Sequence, residues 1–165
     1  MATYDNPYMF LLVLNSQQAS TFSSVNNNDL TYLFNWTNIP HGRYSVSFSY
    51  RGLNNADFVA NDSPQVFVSF GSNSSTYQAS GVDGSNVSLF LGNLRAETHG
   101  AGQVSFYANI NDNPDIFLTA RPSDPQIRVQ VFRSDFITPF STVTGGVELA
   151  EYVLTLQFKR IASGR

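Results

Sequence analysis

The stretch Arg43-Tyr44-Ser45-Val46-Ser47-Phe48-Ser49-Tyr50 decides the fold class. Tyr44, Val46, Phe48 and Tyr50 fall on one side of an extended chain, and Arg43, Ser45, Ser47 and Ser49 on the other. A period of two is the pattern of a half-buried β-strand. It returns near the C-terminus, where Tyr152, Leu154, Leu156 and Phe158 alternate with Glu151, Thr155, Gln157 and Lys159, Val153 being the one apolar residue on the outward side. Both halves of the chain therefore build sheet.

Working outward from these two anchors, Tyr8 to Leu14 is a near-continuous apolar run of strand length and reads as a central strand buried on both faces. Leu30, Tyr32, Phe34 and Trp36 alternate with Thr31 and Asn35, and Asn38-Ile39-Pro40-His41-Gly42 supplies turn residues leading into Arg43, so this pair of strands reads as a hairpin. Further strands are expected at Gln65 to Phe70, around Val87, Leu89 and Leu91, around Val104, Phe106 and Ala108, at Ile116 to Thr119, and at Gln126 to Arg133. Val147 to Ala150 has room for one helical turn at most. No window of a dozen residues carries apolar positions at helical spacing, and no internal repeat is present.

Eight or nine such strands joined by irregular loops argue for an all-β protein, an antiparallel β-sandwich. Strand count and loop lengths fit a single jelly roll of two four-stranded sheets. An immunoglobulin-like sandwich is the neighbouring solution, but 165 residues is long for one and the Cys-Trp-Cys pattern is missing. One domain is expected over residues 1–165, with a polar N-terminal arm at 1–7 and a C-terminal tail at 161–165.

Composition narrows the function classes. The chain has no cysteine, which excludes a disulfide framework, thiolate zinc sites and a cysteine nucleophile, and suits folding in a reducing cytosol. Charged residues make up 13%, about half the usual share, so Ser, Asn, Thr and Gln must supply the polar surface. Net charge is −3, with Lys159 the single lysine, so the footprint of a nucleic-acid binder is missing and no direct nucleic-acid contact is expected. The longest apolar run, Met9 to Leu14, is too short to span a membrane, and no basic segment precedes it as in a signal peptide. The Asn-x-Ser/Thr sequons at Asn35, Asn61, Asn73 and Asn86 then follow from a composition rich in these residues.

Candidate chemistry is sparse. His41 and His99 are the only histidines; both lie beside glycines in loops, with no second ligand or carboxylate at fixed spacing. Asn109-Ile110-Asn111-Asp112-Asn113-Pro114-Asp115 offers alternating oxygen side chains to a calcium ion but lacks the Gly and bidentate Glu of an EF-hand loop, and reads as a turn in which Asn and Asp cap backbone amides. Gly81 to Ser85 and Thr144 to Val147 lack the Gly-Lys-Ser/Thr and the helix of a phosphate loop. No catalytic residue, cofactor or metal site is expected, and no enzymatic activity.

Aromatic residues reach 14%, and their spacing sorts them. Tyr32, Phe34, Trp36, Tyr44, Phe48, Tyr50 and Phe158 occupy inward positions and belong to the core. Phe67, Phe90, Tyr107, Phe117 and Phe132 fall opposite their strands' main apolar faces; outward, they would mark a subunit interface.

Three stretches carry a resemblance: Phe10 to Ser16, Ile39 to Tyr50, and Tyr152 to Arg160. In their order they resemble the small single jelly-roll capsid proteins that form pentons or minor capsid components in virophages, polinton-like viruses and large algal or amoebal DNA viruses. The resemblance implies a virion building block made in the host cytoplasm, a homopentamer closing a ring at an icosahedral vertex beside neighbouring major and minor capsid proteins. It implies no active site. The competing reading is a binding module, a carbohydrate-binding or fibre-head β-sandwich using loops around Asn54 to Asp62 or Asn109 to Asp115.

Overall fold

The computed structural model describes residues 8–19, 21–22, 27–52, 56–57, 63–71, 89–98, 103–135, 140 and 151–162. Twelve strands run through them: β1 (Met9–Asn15), β2 (Thr21–Phe22), β3 (Asp29–Leu33), β4 (Arg43–Gly52), β5 (Ala56–Asp57), β6 (Gln65–Ser69), β7 (Leu89–Asn93), β8 (Arg95–Thr98), β9 (Gln103–Ala108), β10 (Ile116–Leu118), β11 (Gln126–Phe132) and β12 (Tyr152–Ile161). A single 3-10 turn, Ser16–Gln18, follows β1 and is capped by the Asn15 side chain, which accepts from the Gln17 amide.

All pairings are antiparallel and form two sheets, so the chain is the expected all-β sandwich. The first sheet has the body β1-β12-β4-β9, and the second β3-β11-β6-β7. The chain alternates between the two bodies, apart from the adjacent pair β6 and β7, and this winding follows the jelly-roll pattern, the two expected four-stranded sheets being enlarged by short strands to seven and five. Around these bodies lie shorter pieces. β5 extends the line of β4 along β9, β8 lies along the other side of β9, β10 pairs β4 beyond the end of β9, and β2 flanks β3.

The longest ladder joins β4 to β12 over ten residue pairs, from Tyr152 opposite Gly52 to Ile161 opposite Arg43. These are the two strands with the strictest alternation, and every inward residue they contribute, from Tyr44 to Tyr50 and from Tyr152 to Phe158, is at most 3% exposed. Ile161 belongs to this ladder, so the tail begins one residue later than expected. The outward Ser45 and Ser47 are buried as well, at 8% and 4%. Their hydroxyls are engaged, Ser45 donating to Asp115 and Ser47 to Gln157.

The strands before and after the Asn38–Gly42 turn do not form a hairpin. β3 belongs to the second sheet and β4 to the first, so the segment 34–42 is a corner that carries the chain across the sandwich. The loop before β11 pins this corner. Arg121 Nη1 donates to the carbonyls of Trp36 and Ile39, both at 2.7 Å, and Trp36 Nε1 donates to the carbonyl of Asp124 at 2.8 Å. Tyr44 donates back to the Pro40 carbonyl, and Gly42 takes a φ of +151°, where an added Cβ would meet the Arg160 side chain.

Aromatic side chains fill the interior. Phe10 stacks on Phe158 at 4.6 Å, and Trp36 presents an edge to both Phe34 and Phe158. All seven rings assigned inward from their spacing are in or against this core, Phe34 half-buried and the rest at most 5% exposed. Full burial of a ring such as Phe158 contributes about 2–3 kcal/mol, with a further fraction from edge and stacking geometry.

Candidate interaction surface

β1 is not the two-sided central strand that its composition suggests. It lies at the end of the first sheet, and its burial alternates: Leu12 and Leu14 are in the core, while Met9, Leu11 and Val13 are 53%, 57% and 59% exposed. A continuous apolar run here means an inward face that packs and an outward face that is greasy and uncovered. Among the described residues nothing else gathers three exposed large apolar side chains on one strand.

The backbone of β1 is exposed in the same rhythm. The Arg160 amide donates to the Tyr8 carbonyl at 2.8 Å, and the register continues with Met9 opposite Lys159. In an antiparallel ladder hydrogen-bonded and non-hydrogen-bonded pairs alternate, so Phe10, Leu12 and Leu14 direct their N–H and C=O groups at β12. Met9, Leu11 and Val13 direct theirs away from the sheet. The free edge therefore offers peptide groups and apolar side chains from the same three residues.

The outer face of the first sheet grades away from this edge. Next to Met9, Leu11 and Val13 come Lys159, Gln157 and Thr155 of β12, then Ser45, Ser47 and Ser49 of β4. Beyond them Phe117 is 38% exposed, and the Arg51 guanidinium sits 5.3 Å over the Tyr107 ring. The centre of this face is uncharged and built of short side chains.

The opposite flank is closed. Asn113, in the excursion between β9 and β10, holds the edge of β7 from both sides of one residue: its Oδ1 accepts from the Asn93 amide at 2.9 Å and its Nδ2 donates to the Asn93 carbonyl at 3.2 Å. Gly92 makes room for it with a φ of +150°, and a Cβ there would collide with the Asn113 side chain. The β6–β7 register also shifts between Val66 and Phe67, which breaks the flatness of that edge. β8 carries Arg95 and Glu97, with Arg95 reaching Asp112 at 3.5 Å. Short strands, charges, bulges and covering side chains are the usual means of blunting a sheet edge. Every described edge but β1 uses one of them.

The other candidates from the sequence separate clearly. His41 is exposed in the corner. His99, Gly81 to Ser85, Thr144 to Val147 and Val87 lie outside the described residues, as does most of Asn54 to Asp62. The Asn109–Asp115 excursion is internally bonded: Asp112 accepts from the Asn109 amide, Asn113 clasps Asn93, and Asp115 accepts from Ser45. It stands where β9 and β10 both pair β4, its seven residues opposite only positions 47–49, and it joins the two sheets. Among the described residues no three His, Cys, Asp or Glu side chains gather to hold a metal ion.

The outward aromatics divide. Phe67 and Phe132, at 3% and 8% exposed, form a small cluster with the half-buried Phe90 on the second sheet, the Phe67 ring lying 5.4 Å from Phe90 and 5.6 Å from Phe132, so Phe67 is covered by the other two. Tyr107 is half-buried under Arg51, and Phe117 alone of the five stays exposed. Spacing identified the face of each ring but could not tell that adjacent strands bring three of them together.

Two further features were not legible in the sequence. A cleft of about 450 Å³ opens beside the corner, lined by Leu33, Phe34, Trp36 and Arg121 with Asn35, Thr37, Ser123 and Pro125. Leu33 is 65% exposed at its rim, and the Arg121 Nε is buried with no hydrogen-bond partner. In the interior, Tyr50 stacks on Tyr152 at 4.8 Å, and the hydroxyls of Tyr32 and Tyr152 approach each other without a well-aligned hydrogen bond. Burial pushes the Tyr32 hydroxyl up to about 12, and those of Tyr50 and Tyr152 well above their ordinary value.

No described helix is long and apolar enough to cross a membrane. No protein-family model and no curated protein matches the chain.

Proposed function

We propose that this chain is a structural capsid protein, the penton that closes a ring of five at the vertices of an icosahedral DNA virus. The observation that carries the reading is the strand order, which winds as a jelly roll over the same three segments that resemble single jelly-roll capsid proteins. It is an argument from fold, supported by the kind of surface the fold carries. A ring needs broad heterologous contacts between different faces of adjacent copies. The uncharged, partly exposed part of the first sheet's outer face around Ser49, Thr155 and Gln157 supplies one such face without a charge to desolvate. The ring is built in the host cytoplasm and sits in the virion beside other capsid proteins.

Mass measurement of the purified chain in solution tests this. A species of five times the 18.2 kDa chain mass, seen as fivefold rings by electron microscopy, is the expected result. A monomer or trimer at every concentration refutes it.

The binding-module reading is favoured by one observation, the cleft at the corner, where Phe34, Trp36, Arg121 and uncharged hydrogen-bonding side chains meet. It is not where the sequence placed a ligand loop, since the Asn109–Asp115 oxygens are taken by internal bonds. Specific glycan binding by a monomer, lost in Arg121→Ala, selects this reading over the capsid one.

A further inference from the structure

We propose that β1 pairs antiparallel with β1 of a second copy of this chain across a twofold axis at Leu11, joining two first sheets into one. The contact goes beyond a fivefold ring, which is heterologous, and it stands whether or not the ring forms. Three observations converge on it.

First, the peptide groups that meet no partner strand among the described residues belong to Met9, Leu11 and Val13, so a strand added here must hydrogen-bond to these residues. With Leu11 on the axis, Leu11 faces Leu11 of the second copy, and each Met9 faces the other copy's Val13. Opposite residues share a face, so six exposed apolar side chains become three cross-strand pairs, the arrangement that stabilises sheets. The strand is its own complement.

Second, charge permits the pairing. β1 carries no ionisable residue, and the nearest cation, Lys159, lies beside Met9 at one end of the strand. Across the twofold its counterpart lies at the other end, facing the Thr155 side, so the two ammonium groups do not meet. The other described edges cannot serve as partner, being two residues long, charged, or capped by Asn113.

Third, area sets the strength. Seven residues extend about 23 Å at about 3.3 Å each, and because Leu12 and Leu14 are already in the core only the outward side chains and the edge backbone are left to cover. A seam of one strand pair covered on one face falls below the roughly 1,200 Å² of a standard interface, so the pair exchanges with its separated form. A weak contact of this kind suits an assembly that repeats it.

Because the chain has no cysteine, a single introduced thiol reports the geometry. Hydrogen-bonded antiparallel partners lie about 5.5 Å apart at Cα, within the range that a disulfide bridges. Leu11→Cys should crosslink to itself under mild oxidation far faster than Phe117→Cys, a thiol on the same outer face but away from the edge. Sedimentation of the unmodified chain should show a concentration-dependent doubling of mass, and Leu11→Lys should weaken it by about 100-fold through the cost of desolvating an unpaired ammonium. Melting of Leu11→Lys within a few degrees of the parent shows that the fold is retained. Equal crosslinking of the two cysteine variants, or a mass that never doubles, overturns the proposal. A pentamer that never doubles keeps the ring and loses this contact, whereas a dimer without pentamers does the reverse.

Discussion

The two flanks of the sandwich are built from similar strands and finished in opposite ways. On one flank β7, β8 and the 109–115 excursion are tied by side-chain hydrogen bonds, a left-handed glycine and an ion pair, so no edge is left to pair. On the other, among the described residues, β1 ends the first sheet with open peptide groups and three uncovered apolar side chains. The difference teaches that this fold needs no exposed apolar edge for its own stability. The closed flank shows how the chain blunts an edge, and β1 lacks every such device.

The largest effect is expected inside the β1 flank. Its hold on the sandwich comes from its inner face, where Phe10 stacks on Phe158. Phe158→Ala should cost about 3–5 kcal/mol in urea unfolding. A cost under about 1 kcal/mol would mean that β1 is held by something other than its inward side chains.

On the closed flank, Gly92→Ala should cost about 2–3 kcal/mol, since it forces an L side chain into a left-handed backbone and against Asn113. Asn113→Ala should cost about 1–2 kcal/mol through the two lost bonds to Asn93. The double variant should cost less than the sum, because removing the amide relieves the collision. Additive costs would show that the clasp and the glycine are unrelated.

Between the flanks, the buried tyrosines make the interior sensitive to alkali. Their hydroxyls titrate higher when folded than when unfolded, Tyr32 at about 12 against 10.0. Above pH 10 the unfolded chain sheds protons that the folded one retains, so stability is full below that point and falls as pH rises from 10 toward 12. Melting temperature should drop steeply over this window, and Tyr32→Phe should make the drop shallower. An unchanged slope would remove the tyrosine cluster as the cause.

The smallest effect is expected at the outer side of β1. Leu11→Ser should change unfolding free energy by no more than about 0.5 kcal/mol, because the side chain it removes packs on little within one copy. A cost above about 2 kcal/mol would show that the exposed stripe is part of the fold and not a surface kept for a neighbour.

Much of the architecture was readable residue by residue. The period of two in Arg43–Tyr50 and Tyr152–Lys159 gave the two longest strands, and seven aromatic rings were placed correctly by parity alone. The place of β1 is not legible because a run of apolar residues carries no parity: the same string describes a strand covered on both faces and an edge left uncovered on one. The corner at 34–42 reads as a hairpin in the sequence because Asn, Pro and Gly mark a reversal of direction but not the sheet to which the chain returns. The cleft at Arg121 had no sequence signal, since its walls come from segments some 85 residues apart that meet through hydrogen bonds to the Trp36 and Ile39 carbonyls.

Sequence alone determined that this is an all-β protein, which side of each regularly alternating strand faces inward, and that cysteine chemistry is excluded, because these follow from local period and residue type. Tertiary structure decided which strands are neighbours, that Asn113 closes one flank, and that Met9, Leu11 and Val13 are left uncovered on the other. The reason is physical: strand order arises from contacts between residues far apart in the chain, and an edge is defined by the partner a strand lacks.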